Sequence, residues 1–503
     1  MNEKYLARIL TSRVYDVAVE TPTELAENLS ERLGNAIWLK REDQQPVFSF
    51  KNRGAYNKMV GLTTAALERG VIASSAGNHA QGVALAAQKL GCRAVIVMPI
   101  STPDIKIKAV RSRGARVVLA GGVYDEAYTH ARKLAREQKL SFIPPYDDPA
   151  VIAGQGTIGF EILKQLRTEP DAIFVPVGGG GLIAGVSAYV KQLKPRTRII
   201  GVEPSDADSM FQALKENKRV RLKTVGQFAD GVAVRQVGTE TFRLAREYVD
   251  SVIRVSNDEM CAAIKDVFED TRTVMEAAGA LSVAGLKHWV KTTRARDKNL
   301  VAIMSGANMN FDRLRHVSER AEIGERREAI LGVTIPEEAG SFRRFCATIS
   351  NNTITEFNYR YSRDNKAQVF VGLTISDNQE RRELISRLRK ADYETVDLSD
   401  NEMAKLHVRH MVGGRATADH EVVYRLEFPA KPRALLDFLT AIGNRFNISM
   451  FHYRNHGADY SRVLIGLQAP PGKRVQLNRM ISKLGYRAID ETDNPVYQLF
   501  LSS

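Results

Sequence analysis

Cysteine is scarce in this chain: there are three in 503 residues, Cys92, Cys261 and Cys346, far apart and without paired spacing. A disulfide framework and a cysteine metal site are thereby excluded, and reduced thiols in a cytoplasmic setting are expected. Long apolar runs are missing as well. No stretch approaches the roughly 18 residues of a membrane span, and the opening MNEKYLARILTSRVYDVAVE has acids early and no continuous apolar core, unlike a signal peptide. A coherent basic patch is also lacking. The net charge is +14, yet Lys and Arg are interspersed with acids. The densest cluster, Lys215 to Lys223 (KENKRVRLK), has no interleaved aromatic residue and reads as an exposed loop. Nucleic-acid binding is not expected. The positive balance suits an anionic cofactor and carboxylate substrates instead.

What is present is a long chain, 44% hydrophobic and 26% charged, which calls for two or three globular domains. Residues 3–34 read as helical with a turn at Thr21-Pro22. Strands are expected at 36–40, 71–74, 94–98, 117–119, 141–143, 172–177 and 299–304. Helices are expected at 81–90, 105–113, 124–138 and 156–167. Short apolar runs alternating with helices indicate parallel βαβ units, which place ligands at the carboxyl ends of the strands. An α/β catalytic region over residues 1–320 follows.

Four short motifs punctuate that region. Ser49 to Ala55 (SFKNRGA) puts Lys51 where a loop enters a helix, so that its amine can face a cleft and form a Schiff base. Ser74 to His79 (SSAGNH) lies between a strand and a helix. The helix N-terminus there offers backbone N–H groups to an anion, and Asn78 offers an amide to a phenolic oxygen; His79 reads as a local hydrogen-bonding residue. Gly178 to Leu182 (GGGGL) follows the strand DAIFVPV and has the composition and position of a phosphate cup. No Gly-Lys-Ser/Thr follows it, so it is not a nucleotide P-loop. Ser305 to Asn308 (SGAN) ends the strand NLVAIM and can aim the Ser305 hydroxyl into the same crevice. Any one of the four could be an ordinary turn.

Together, and in this order, they resemble the fold-type II (tryptophan-synthase-β-like) pyridoxal-phosphate enzymes, and within them the threonine and serine dehydratases. The resemblance implies that Lys51 carries the cofactor, Asn78 bonds its 3-hydroxyl and Gly178, Gly179, Gly180, Gly181 and Leu182 hold its phosphate. It further implies that Ser305 meets the pyridine nitrogen and that Ser75 holds the substrate carboxylate. The chemistry implied is loss of the β-hydroxyl and of ammonia from L-threonine, with L-serine secondary. Lys51 serves as anchor and then base, and the cofactor phosphate is the candidate proton donor to the leaving hydroxide. Related racemases carry a second serine where this chain has Ala76, which favours dehydration here. Metal-binding relatives use an acid where Ser209 aligns, so no metal is expected beside Glu203.

Beyond residue 320 the texture changes. An Arg/Glu-rich stretch, taken as a helical linker over 321–328, leads into an internal repeat. LGVTIPE at 331–337 matches YRLEFPA at 424–430, and EFNYR at 356–360 matches MFHYR at 450–454, at an offset near 93–94. Each copy reads strand, helix, strand, strand, helix, strand, a ferredoxin-like α+β pattern. The copies, 329–401 and 422–503, resemble the paired ACT-like regulatory domains of the biosynthetic threonine dehydratases. That resemblance implies isoleucine as inhibitor, valine as its antagonist and a homotetramer. Tyr359 and Tyr453, at equivalent places, are the candidate effector residues. Three functions stay open: a regulated threonine dehydratase, a serine-preferring relative, and an amino-acid sensor without catalysis.

Overall fold

The computed structural model describes residues 3–324, 327–336, 341–349, 352, 354–359, 366–410, 419–429, 438, 446–454 and 460–502. The chain forms two compact units, 1–317 and 318–503.

The first unit contains ten strands: β1 (Thr23–Leu25), β2 (Ala36–Arg41), β3 (Val71–Ser74), β4 (Ala94–Met98), β5 (Arg116–Leu119), β6 (Ser141–Phe142), β7 (Ala172–Pro176), β8 (Arg198–Pro204), β9 (Ser251–Val255) and β10 (Asn299–Met304). They make a six-stranded sheet in the order β1-β2-β10-β7-β8-β9 and a four-stranded sheet in the order β5-β4-β3-β6. Every pairing is parallel except β1 with β2. The apolar runs VIAS, AVIVM and AIFVP are buried at every residue. Such runs are what a sheet covered on both faces requires.

Two expectations are corrected. Residues 3–34 are not all helical, because β1 lies between the helices Glu3–Leu10 and Glu27–Leu33 and pairs along β2, with Thr23 opposite Lys40. The helix expected from Gly156 begins at Pro149, with Asp148 as N-cap accepting from the N–H of Ala150 and Val151; Asp followed by Pro is a helix start. The glycines in it are packing residues. A Cβ on Gly154 would lie 2.8 Å from the Arg53 oxygen, and one on Gly156 would lie 2.9 Å from the Gly185 oxygen. Backbones therefore touch where side chains would separate them.

The helix Lys51–Val60 is fixed at its first turn by charge. Arg53 is fully buried and donates from Nε and Nη2 to Glu42, each at 2.8 Å, and from Nη1 and Nη2 to Glu161 at 2.5 and 2.9 Å. Lys40 Nζ donates to Glu161 at 2.6 Å, and Thr21 Oγ1 to Glu42 at 2.5 Å. Two cations thus face two carboxylates, joining β2, the turn after it, the Lys51 helix and the Pro149–Gln165 helix. The two carboxylates hold the Arg53 guanidinium firmly protonated.

In the second unit the strands are β11 (Glu328–Pro336), β12 (Ile354–Tyr359), β13 (Lys366–Thr374), β14 (Glu394–Asp397), β15 (Glu421–Pro429), β16 (Asn447–Arg454), β17 (Tyr460–Gln468) and β18 (Arg487–Asp490). They form two antiparallel sheets with one topology, β12-β13-β11-β14 and β16-β17-β15-β18. The repeat extends to irregularities: the register shifts between Ile354 and Glu356 in one copy and between Ile448 and Met450 in the other. The helix expected between β15 and β16 falls at 430–445, outside the described residues apart from Phe438. Ile330, Phe370, Val423 and Leu464, one from each of β11, β13, β15 and β17, share a core, so the two sheets are packed together.

Both tryptophans, Trp38 and Trp289, belong to the first unit, so their fluorescence reports its unfolding alone. Arg53→Met leaves two buried carboxylates short of a cation and is expected to lower the stability by about 3–5 kcal/mol. Arg13→Met, which removes an exposed ion pair with Asp16, is expected to leave the urea midpoint nearly unchanged. Equal urea midpoints for the two variants would refute the structural role given to the buried quartet.

Candidate active site

The turns that carry the four motifs all follow carboxyl ends of strands. Lys51 comes after β2 and its turn, Asn78 after β3, the glycine run after β7 and Ser305 after β10. The backbone ties the first and last together. Ser49 bridges Gly306, Phe50 N–H donates to Ser305 O at 3.3 Å and Ala307 N–H to Phe48 O at 2.9 Å. Gly82 brings the Asn78–Leu90 helix onto the start of the Lys51 helix, since a Cβ there would sit 2.9 Å from Lys51 O.

Lys51 Nζ lies 3.4 Å from Pro145 O and 5.1 Å from the centre of the Phe50 ring. Burial drives its pKa down to about 8, against an upward pull from the Glu276 carboxylate. A desolvated amine of this kind has a useful neutral fraction near physiological pH, as a nucleophile or base needs. His79 is buried with Nε2 2.9 Å from Ile143 O, and burial holds its pKa down at about 3. It is an uncharged packing residue.

Gly180 has φ +94° and ends the loop before the helix Gly181–Leu193. A Cβ on Gly178 would stand 2.9 Å from Val232 Cα, and one on Gly179 2.2 Å from the Tyr146 ring. Thr241 Oγ1 donates to Gly179 O at 2.7 Å, and Gly238 N–H to the same oxygen at 3.3 Å. The loop's carbonyl is thus satisfied from the protein side, which leaves the first N–H groups of the helix for an anion. The Leu182 side chain is buried in the core, so only its backbone can serve a ligand. Ser75 Oγ accepts from Gly77 N–H at 3.2 Å, and Ser305 Oγ donates to Ala278 O at 3.2 Å.

Asn78 Nδ2 donates to Glu276 Oε1 at 2.5 Å, and Asn308 Nδ2 donates to Asn78 Oδ1 at 2.7 Å. Glu276 escaped the sequence reading. It precedes an alanine-rich helix in VMEAAGA, where an acid looks like an ordinary N-terminal residue. Tyr146 also escaped, because nothing local shows that its ring lies against the glycine run. Glu203 accepts from Met210 and Phe211 N–H, each at 2.8 Å, and so caps the helix Ser209–Lys215. Burial raises its pKa to about 8. Among the described residues no cluster of three His, Cys, Asp or Glu could hold a metal. The Tyr359 and Tyr453 backbones pair with Val369 and Val463, but their side chains lie outside the described residues.

A lysine at the head of a helix, a glycine run between β7 and a helix, an amide after β3 and a hydroxyl after β10 fit a fold-type II pyridoxal-phosphate enzyme. In agreement, residues 14–306 match the pyridoxal-phosphate-dependent enzyme family, and 319–408 and 412–501 each match the C-terminal regulatory domain of threonine dehydratase. The chain is 53% identical to the biosynthetic L-threonine dehydratase IlvA of Burkholderia multivorans, with 99% of each covered. It is 50% identical to the IlvA of Escherichia coli, over 99% of this chain and 97% of that one. Among solved structures, the processed form of threonine deaminase isoform 2 from Solanum lycopersicum superposes with TM-score 0.63 at 54% identity, over 64% of this chain and 88% of that one. The chain belongs to the biosynthetic threonine dehydratase family. The site suits the cofactor: the glycine run tolerates no side chain, so its backbone stays open to an anion, and the Lys51 amine has a lowered pKa.

The strain at Gly180 makes a test. Gly180→Ala meets both the positive φ and a Met210 Cε that would be 2.8 Å from the new Cβ. It is expected to weaken pyridoxal phosphate binding about five- to thirtyfold, from about 1–2 kcal/mol of backbone strain. Absorbance titration measures this, and unchanged affinity would remove the glycine run from the site.

Proposed function

We propose that the chain deaminates L-threonine to 2-oxobutanoate and ammonia, the committed step toward isoleucine, under feedback control through its second unit. The observation that carries the reading is the half-buried Lys51 amine, its pKa lowered to about 8, at the head of a helix whose preceding loop is tied by its backbone to the Ser305 turn. Bound pyridoxal phosphate supplies the electron sink that makes an amino acid's α-proton acidic. Gly178, Gly179, Gly180, Gly181 and the Leu182 N–H would hold its phosphate, Asn78 its phenolic oxygen and Ser305 its ring nitrogen. Lys51 Nζ is the covalent anchor and, when released, the base for the α-proton. Ser75 and the N–H groups around it orient the substrate carboxylate. Ala76 offers no acid or base on its own face, so a proton lost there is not returned and elimination is favoured over racemisation.

The regulatory unit supplies the amino-acid effector sites, with isoleucine inhibiting and valine opposing it. Tyr359 and Tyr453 contribute to the effector pockets, and the domain limits are 329–401 and 422–503. Such control requires each effector to bind two states of the enzyme unequally. The enzyme works as a homotetramer in the cytoplasm; among the described residues no helix is long and apolar enough to cross a membrane.

Initial rates of 2-oxobutanoate formation against L-threonine, with and without L-isoleucine, test both halves. Turnover that isoleucine suppresses, with a sigmoidal threonine curve, is expected, and Lys51→Ala should abolish it. Indifference to isoleucine would sink the regulatory assignment, and absence of turnover in the holoenzyme would sink the catalytic one. Tyr359→Ala or Tyr453→Ala is expected to shift isoleucine inhibition or its reversal by valine about tenfold in concentration. Two variants with unaltered effector curves would place the pockets elsewhere.

A further inference from the structure

Glu276 occupies the N-cap of the helix Ala277–Thr293 but makes no side-chain capping bond there. A carboxylate at that position ordinarily satisfies the helix's first N–H groups; this one turns away to Asn78. Its oxygen fits against two glycines: a Cβ on Gly306 would stand 2.7 Å from Oε1, and one on Gly231 3.6 Å from it. Gly306, in the Ser-Gly-Ala-Asn motif, is therefore small because the carboxylate needs the space.

The consequence lies in the orientation of an amide. Asn78 presents an NH2 on one side and a carbonyl on the other. An ionised carboxylate only accepts, so the Nδ2 of Asn78 must face Glu276. On the opposite side the Asn78 carbonyl accepts from Asn308 Nδ2, whose other bond, to Val47 O at 2.8 Å, fixes Asn308 in turn. One hydrogen on Asn78 Nδ2 is left over. A flipped amide would instead turn a carbonyl toward the same place.

We propose that Glu276 is a positioning residue: with Asn308 it clamps Asn78 so that one N–H, and not the carbonyl, faces the phenolic oxygen of the cofactor. The inference rests on the assignment of Asn78 to that oxygen. The groups facing Glu276 come from several elements: Asp230, Lys106 on the helix Asp104–Arg111, Arg313, and Lys51. Lys106 Nζ bonds Asp230 at 2.6 Å, and Arg313 Nη1 approaches it at 3.6 Å. Burial and the Asp230 charge push the Glu276 pKa up to about 7, in spite of Asn78, Lys106 and Arg313. The clamp therefore changes charge within the working pH range. Above the midpoint the carboxylate can only accept; below it the carboxyl can also donate, and an amide flipped onto it is no longer excluded.

The experiment is return of pyridoxal phosphate to the full-length chain after its removal, followed by visible absorbance, for wild type, E276A, E276Q, N78A and E276A/N78A, with thermal melting of each. E276A is expected to weaken cofactor binding about tenfold, and E276Q, which keeps an accepting oxygen, by about threefold or less. In the N78A background E276A should add nothing, because it acts through Asn78. The ratio of wild-type to E276Q affinity should fall toward one between about pH 8 and about pH 6, across the midpoint of the carboxyl. E276A binding as tightly as wild type, or losing as much with N78A as without it, overturns the proposal while leaving the Lys51 site intact. If E276A does not fold, the E276Q series decides, and a flat ratio across pH overturns it. A wild-type chain that takes up no pyridoxal phosphate overturns the site assignment and this proposal together.

Discussion

The position of Lys51 depends on a charge balance two residues further along. Arg53 and Lys40 face Glu42 and Glu161 with no exposure for any of the four side chains. Taking four ions out of water costs several kcal/mol for each, and close attraction in a medium of low polarity offsets this only if the set is complete. The quartet is thus poor as a source of net stability and strong as a constraint. A hydrophobic contact would let the Lys51 helix slide or turn by a fraction of a residue. A guanidinium bonded at both edges by two carboxylates does not permit it.

Glycine does for the backbone what the quartet does for charge. Gly54 faces Gly154, Gly156 faces Gly185, and Gly82 faces the Lys51 carbonyl. Each pair lets main chains approach to distances that any Cβ would prevent, so the Lys51, Asn78, Pro149 and Gly181 helices converge closely. Glycine inside a helix costs roughly 0.5–1 kcal/mol relative to alanine. That cost is offset where the contact draws the start of the lysine helix against the Asn78 and Pro149 helices.

Much of this was legible in the sequence, for reasons that individual residues make plain. The strands AVIVM and NLVAIM were bounded correctly because continuous apolar runs between turns have few other uses. The repeat was legible because the two copies keep their register to within a residue, down to matching bulges. The Pro149 helix was cut short at its start, where Gly154 and Gly156 carry their meaning only against Arg53 and Gly185. Glu276 and Tyr146 were invisible for a related reason. Their significance lies wholly in what stands opposite them, 198 residues away in the case of Asn78. Motifs built from backbone geometry announce themselves along the chain, whereas residues that orient a motif from outside do not.

One physical condition, dryness, then accounts for three unlike titrations in the crevice. Burial lowers Lys51 to about 8, lowers His79 to about 3 and raises Glu276 to about 7. In each the larger cause is loss of water, which penalises whichever form is charged. The results differ because the groups differ in sign and in neighbours. His79 loses water and faces the Lys51 charge, which together outweigh its bond to the Ile143 carbonyl, so its pKa stays low. The Glu276 carboxylate opposes the fall at Lys51, and Asn78, Lys106 and Arg313 oppose the rise at Glu276, so each remains able to change charge near neutrality. A wetter crevice would leave Lys51 protonated and unreactive. A dry one without Glu276 would depress the amine further and weaken its hold on a proton. The pairing keeps the lysine where it can both give up a proton and take one back, as the proposed role of anchor and then base requires.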